Sequence, residues 1–403
     1  MTNIGSTSEL PIGRALVATA SWDVAETLYV LKSANLHVTV LCPKALLNIL
    51  GSFYDAWITA KAPEPGESLA SAMIRQIASL LEANPEAHDW VLLREDSLLA
   101  ALRDSDLDLS LKLKVSPVRS ALHLDVLHSK RRMAKFLREA GFSCPQSMAC
   151  DSFGDILEAS TTIGFPLLVK IEGTSGGVGV SRANSLHELR SLQPAVDEKK
   201  VLVERFVEGP NMHIEPLFLS GELVAYNYSL TVKTVAPFGA SYERRFLPCE
   251  SIAPTLKRLG RLLRLNCFAT ISCILDKDGI THLLYEVDLR PNAWVSYAAL
   301  VGADFSEAIR RFASNPGGRM EGVLSTSVDR VIPHFERDIA QSLNNRDWRR
   351  LLDWVVNSNH CWDAAAFYDR KLVFQILWNQ FKALLRKAAR PLRPLRKRFW
   401  PRL

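Results

Sequence analysis

Along the first fifty residues, hydrophobic positions form two short unbroken runs, ALVATA at 15–20 and LHVTVLCP closed by Pro43. Between them WDVAETLYVLKSA repeats at helical spacing. Short unbroken apolar runs mark strands buried on both faces, and the order strand, helix, strand begins an open parallel α/β sheet. DWVLLREDSLLAALRDS adds a strand at 90–93 that enters a charged turn and a helix. Residues 1–115 are therefore predicted to form one small Rossmann-like α/β domain.

A break near KVSPVRSALHL precedes the helix LHSKRRMAKFLREAG, which Gly141 stops and Pro145 follows. The next elements predicted are a helix over 152–163, the strand FPLLVKIEG, the glycine-rich stretch GTSGGVGVS, a helix starting near Ser185 and the strand VLVERFV. Two hairpins follow, turned at Ser220-Gly221 and Asp278-Gly279, with the helix TLKRLGRLLRL between them. This gives an α+β unit over 116–320. Beyond it, 321–380 is predicted helical and 381–403 is a basic tail. No repeat of solenoid or propeller length occurs.

Composition narrows the class. The 403 residues are 48% hydrophobic and 23% charged, which excludes a disordered or collagenous chain. Seven scattered cysteines without a C-x-x-C pair suggest neither a zinc ribbon nor a disulfide framework, and fit a reducing cytoplasm. Neither a leader pattern nor an apolar stretch of membrane-spanning length is visible. The net charge of +6 is uneven, because Lys382, Arg386, Lys387, Arg390, Arg393, Arg396, Lys397, Arg398 and Arg402 crowd the last 23 residues without one acidic partner. The rest of the chain is mildly acidic, so any anion site within it depends on local placement and not on net charge. The tail suits either a solvated terminus or contact with an anionic membrane surface, although Pro391 and Pro394 interrupt a long helix there. No nucleic-acid partner is expected.

Two stretches can carry chemistry. In GTSGGVGVS, glycines permit close backbone approach and positive φ, while Thr174 and Ser175 add hydroxyls. The stretch reads as a surface turn or as a phosphate cradle, and Lys170 on the preceding strand favours the cradle. In YEVDLRPN, strand alternation puts Glu286, Asp288 and Arg290 on one face. Such a row suits Mg²⁺ and an anionic oxygen, or else a solvated face with an internal ion pair. His213 and Glu215 alternate on a strand whose amphipathic pattern accounts for them, and they receive no catalytic role.

The succession LHSKRRMAKFLREAGFSCP, FPLLVKIEGTSGGVGVSRANSLHEL, VLVERFVEGPNMHIE and LLYEVDLRPNAW resembles the ATP-grasp superfamily over about residues 125–310, and the α/β segment before it resembles the usual preceding domain. The resemblance implies an ATP-dependent carboxylate–amine ligase that works through an acylphosphate. It implies that Lys130 and Lys170 contact ATP phosphates under a flap of Thr174, Ser175, Gly176, Gly177, Val178 and Gly179. Glu204, Arg205, Phe206 and Val207 match the hinge that meets adenine, and Asn211 stands where an acidic residue often touches the ribose. Glu286 and Asp288 match the Mg²⁺ pair, usually Glu and Asn, and Arg290 matches the arginine at the transfer site. Lys233, Arg244, Arg245 and Asn292 are candidates for holding substrate or the γ-phosphate.

One departure stands out. Ser272, or a residue near it, occupies a position where the family usually has another metal carboxylate, with Asp276 as a possible misaligned substitute. A phosphotransferase and a nucleotide-binding pseudoenzyme on the same fold are therefore alternatives to the ligase.

Overall fold

A computed structural model describes residues 11–21, 24–47, 52–315, 322–365 and 369–388. The N-terminal unit is a four-stranded parallel sheet, order β3-β2-β1-β4, from β1 (Arg14–Ala18), β2 (His37–Cys42), β3 (Ala56–Thr59) and β4 (Trp90–Leu93). Its helices are α1 (Ala25–Ser33), α2 (Leu69–Ala83), α3 (Asp96–Asp104) and α4 (Leu109–Val115). The strand–helix–strand start and the Trp90–Leu93 strand are as expected from the apolar runs. The sequence reading passed over β3 and α2, although Ser68 caps α2 by accepting from Ser71 N.

The second unit holds α5 (Lys130–Glu139), β5 (Ser147–Cys150), α6 (Phe153–Ile163), β6 (Leu167–Ile171), β7 (Val180–Ala183), α7 (Leu186–Ser191), α8 (Gln193–Val196) and β8 (Val201–Arg205). Its strands form an antiparallel sheet, order β5-β8-β6-β7. Sequence alone places α6 closely because its ends are written locally. Ser152 and Asp155 form a reciprocal capping box, and Gly164 takes φ 77° at the stop. The glycine-rich stretch was expected to lead from a strand into a helix. It instead joins antiparallel strands β6 and β7, so it is a hairpin loop and not a helix N-terminus.

The large unit pairs β9 (Asn211–Leu219), β10 (Glu222–Thr234), β11 (Ser241–Phe246), β12 (Cys267–Phe268), β13 (Thr270–Leu275) and β14 (His282–Asp288). Helices α9 (Ala253–Leu263) and α10 (Phe305–Ala313) flank it. Ser220 and Gly221 turn β9 into β10 with φ 51° and 85°, the paired positive values of a tight hairpin. Residues 321–380, predicted helical, begin with two strands, β15 (Leu324–Ser325) and β16 (Arg330–Pro333). These extend the large sheet against β10 and β11. Helices α11 (Phe335–Asn345), α12 (Trp348–Val356) and α13 (Arg370–Ala388) follow.

Aromatic contacts lock these units together. Trp90 of β4 stacks on Phe268 of β12 with ring centroids 5.6 Å apart, and its Nε1 donates to the Asn266 carbonyl at 3.1 Å. The C-terminal helices close a core of Phe246, Trp294, Tyr297, Ile332, Phe335 and Trp354, in which Trp354 is buried whereas Trp348 and Trp378 are exposed. Tyr297 Oη accepts from Phe335 N and donates to the Ala364 carbonyl, each at 3.1 Å. Side chains that rigidly join the extension to the large sheet also position Arg337, on the first turn of α11, beside the central cleft. Residues 389–403, most of the basic tail, lie outside the described residues.

Candidate active site

A cleft of about 600 Å³ lies between the β5–β8 sheet and the large sheet. On one side, Ser129 caps α5 and donates to Glu172 Oε1 at 2.5 Å, which fixes the helix start where Lys130 projects. Lys130 Nζ donates to the Thr174 carbonyl, tying the helix to the glycine loop. Lys170, almost wholly buried on β6, donates to Glu204 Oε1 of neighbouring β8 at 2.6 Å and sits 4.8 Å above the Tyr285 ring. Burial pushes the Glu204 carboxyl above its ordinary pKa, while Lys170 pulls against that shift.

The loop closes over the cleft for a steric reason. Gly176 and Gly177 take φ 64° and 81°, and a Cβ on Gly177 would come 2.1 Å from the Phe238 carbonyl oxygen. No side chain fits there, so the loop tip lies directly against the turn between β10 and β11. Gly179 closes the loop base, its carbonyl accepting from Ile171 N at 2.9 Å.

Opposite the lysines, β13 and β14 supply the acidic wall. Ser272 is the cross-strand partner of Glu286, and Thr270 that of Asp288. Burial and the Glu286 charge push the Asp288 carboxyl up to about 7, although Arg290 pulls against them. Arg290, just past β14, is 3.4 Å from Asp288 Oδ2 and forms a two-pronged pair with Asp96 of the N-terminal unit at 2.5 and 2.7 Å. Burial alone would raise the Asp96 pKa, yet His128 and Arg290 hold it well below the usual carboxylate range.

The floor is a polar network. Arg244 Nη1 donates to Glu215 Oε1 at 2.5 Å, and its guanidinium lies 4.6 Å from the Trp294 ring centre. Asn292 Nδ2 donates to the same Glu215 oxygen at 2.9 Å. His213 Nδ1 is 3.1 Å from Ser272 Oγ, and burial drives its pKa well below the ordinary histidine value. At the hinge, Arg205, Phe206, Val207 and Asn211 edge the cleft, and Asn211 Oδ1 accepts from Tyr285 Oη at 2.9 Å.

The cleft thus collects Lys130, Lys170, Thr174, Ser175, Gly176, Gly177, Val178, Glu204, Arg205, Phe206, Val207, Asn211, Arg244, Glu286, Asp288, Arg290 and Asn292 from the sequence-based set. It excludes two. Lys233 pairs with Glu243 at 3.1 Å, and Arg245 projects from the opposite face of β11 to exposed Asp329 at 2.6 Å. Arg245 falls outside because the segment it shares with Arg244 is a strand, which sends neighbours to opposite faces. Asp276 lies at the far hairpin end, away from the cleft wall where Ser272 stands.

Sequence reasoning missed Asp96, His213, Glu215, Trp294 and Arg337. Only His213 and Glu215 carried a local signal, their alternation on β9; at the cleft Glu215 is buried and His213 half-buried. A second cavity of about 660 Å³ adjoins the first beyond Ser175, Gly176, Arg290, Asn292 and Arg337, which line both. It opens over Ser21 and Arg94, just past β1 and β4, the usual ligand crevice of a parallel sheet. Arg337 Nη1 donates to the Ser241 carbonyl at 3.1 Å, and among the described residues it has no carboxylate partner.

Residues 129–221 match the family model for the ATP-binding domain of carbamoyl-phosphate synthase L chain. A D-alanine–D-alanine ligase of Pseudomonas putida is 32% identical over 212 residues, covering 47% of this chain and 63% of that relative, so the chain spans less than two thirds of its length. Among solved structures, the ADP complex of N5-carboxyaminoimidazole ribonucleotide synthetase superposes with a TM-score of 0.62 at 14% identity, covering 84% of this chain and 86% of the other. An L-amino acid ligase from Bacillus licheniformis gives 0.53 at 17% identity, covering 75% and 74%.

Proposed function

We propose that this chain, a member of the ATP-grasp superfamily, binds ATP in the cleft between the β5–β8 sheet and the large sheet and joins a carboxylate to an amine or other nucleophile. A carboxylate oxygen attacks the γ-phosphorus and ADP departs; the nucleophile then attacks the acyl carbon of the acylphosphate and phosphate departs. Lys130, Lys170 and the amides of the glycine loop neutralise and position the phosphates. The hinge at Glu204, Arg205, Phe206 and Val207 faces the adenine and Asn211 the ribose. Arg290 holds the transferring oxygens, and the closed loop keeps water from the acylphosphate.

Glu286 and Asp288 suit a hard divalent cation: they are oxygen donors on one strand face, and the burial and repulsion that raise the Asp288 pKa are what a cation there would offset. Mg²⁺ held by Glu286 and Asp288 would neutralise phosphate charge. The second cavity receives the nucleophile, with Arg337 holding an anionic group on one of the reactants.

The observation that carries this reading is the row Glu286, Asp288, Arg290 facing Lys130 and Lys170 across one cleft beneath a glycine loop. Ser272 in place of an acidic partner to Glu286 favours a second reading, a nucleotide-binding protein without turnover. A phosphotransferase would use the same nucleotide site. The test is ADP release with ATP, Mg²⁺ and a panel of carboxylic acids and amines, beginning with D-alanine because of the Pseudomonas relative. Turnover that needs both an acid and a nucleophile and is lost in Glu286→Gln supports the ligase. A stable phosphorylated product supports the phosphotransferase, and ATP binding without turnover across the panel supports the second reading.

A further inference from the structure

Helix α13 is held by one face and leaves the other uncovered. Leu372 and Ile376 are buried in the core with Tyr297 and Trp354. On the outside, Phe374 (67% exposed), Leu377 (47%), Trp378 (42%) and Phe381 (49%) follow the spacing i, i+3, i+4, i+7 of a single helical stripe. Their rings form a continuous stack, with Phe374 and Trp378 centroids 6.4 Å apart at 8° and Trp378 and Phe381 5.7 Å apart at 26°. Lys382 Nζ lies 5.2 Å from the Trp378 ring centre, its charge beside the stripe. Helix α12 of the same extension exposes a second such stripe, Trp348, Leu352, Val355 and Val356. Aromatic stripes of this kind are rare on surfaces that face only water.

Charge decides what covers the face. Residues 370–403 contain eleven Lys and Arg and no Asp or Glu. Exposed Arg370 and Lys371 begin the helix, and the sequence that follows it is the most basic of the chain. A second copy of this chain would bring like charge against like, whereas an anionic lipid surface supplies opposite charge for the basic residues and an acyl boundary for the rings. No helix among the described residues is long and apolar enough to cross a membrane, so α13 would lie in the interface.

We infer that the exposed face of α13, with the basic residues around and after it, seats the protein on anionic lipid bilayers. This is independent of the ligase reading. The contact rests on a helix with a defined apolar face.

The test is co-sedimentation of the full chain with vesicles of phosphatidylcholine alone or doped with phosphatidylglycerol, at low and high salt. Binding is expected only to the anionic vesicles. It should weaken at high salt and fall at least about tenfold when Phe374→Ser, Trp378→Ser and Phe381→Ser are combined. A second variant, Arg390→Glu with Arg393→Glu and Arg396→Glu, should weaken binding about fivefold or more per site without touching the helix face. Circular dichroism and thermal unfolding show whether each variant is folded. Equal binding to neutral vesicles, full binding by the folded triple-serine variant, no binding at all, or a dimer in buffer that the serine variant dissolves would each overturn the inference. ATP turnover in solution is read separately and bears on the ligase proposal alone.

Discussion

The guanidinium of Arg290 and the carboxylate of Asp96 meet in a two-pronged pair, Nε to Oδ1 at 2.5 Å and Nη2 to Oδ2 at 2.7 Å, although 193 residues of chain separate them. Both are largely buried, with side-chain exposures of 15% and 14%. Charge-assisted pairs of this geometry fix direction as well as distance, so the N-terminal unit aims the arginine that faces the phosphoryl-transfer region.

Asp96→Asn should therefore lower substrate-dependent ADP formation by about 100-fold, because a small misplacement of a positioning group is costly. ATP affinity should change little, and Asp96→Glu should recover part of the loss. Single-turnover ADP formation set beside an ATP-binding titration checks the split. Equal loss of binding and turnover would make the pair merely structural.

Arg337 should act on a different parameter. Arg337→Ala is expected to raise KM for one reactant by about 10- to 100-fold, the worth of a hydrogen bond to a charged group, while KM for ATP stays constant. Steady-state kinetics with each substrate varied in turn will show which reactant carries the anion. An unchanged KM for both reactants would remove Arg337 from the site.

Ser272 faces Glu286 across β13 and β14, so Ser272→Asp adds a carboxylate to the acidic wall. The Mg²⁺ concentration for half-maximal turnover should fall on the order of tenfold, since more ligand charge strengthens hard-cation binding. Without Mg²⁺ the variant should unfold at a lower temperature than the parent, and Mg²⁺ should restore the difference. A magnesium titration followed by activity and by thermal unfolding measures both.

His334 is packed between Trp294 and Tyr297, with ring centroids 5.2 and 5.4 Å away. Burial, reinforced by the charge of Arg337, holds its pKa well below the ordinary value, and His213 behaves alike. Below about pH 6.5 the unfolded chain takes up protons that the folded chain refuses, so stability falls with acidification by up to about 1.4 kcal/mol per pH unit for each histidine. His334→Gln should flatten the dependence between pH 6.5 and 5. Denaturant unfolding at several pH values provides the measurement, and an unchanged slope would contradict it.

What could be read from the chain is what local physics encodes. The capped ends of α6, the tight turn at Ser220 and Gly221, and the alternation that puts Glu286 beside Asp288 each depend on residues a few positions apart. β7 and β11 escaped notice because both are short strands in polar sequence, stabilised by the partners they pair with and not by their own composition. Overlooking β11 made Arg244 and Arg245 look equivalent, although the pleat sends one to Glu215 and the other to Asp329.

The sequence by itself determined the first strand–helix–strand, the capped helix α6, the glycine loop, the two lysines and the acidic row, because strand alternation, helix caps and glycine's positive φ act over a few bonds. Only the tertiary structure decided that Asp96 grips Arg290, that His213 and Glu215 border the cleft, and that Arg337 arrives from a C-terminal helix. Those contacts are made across domain boundaries by packed units, and no spacing along a chain records which distant surfaces burial will press together.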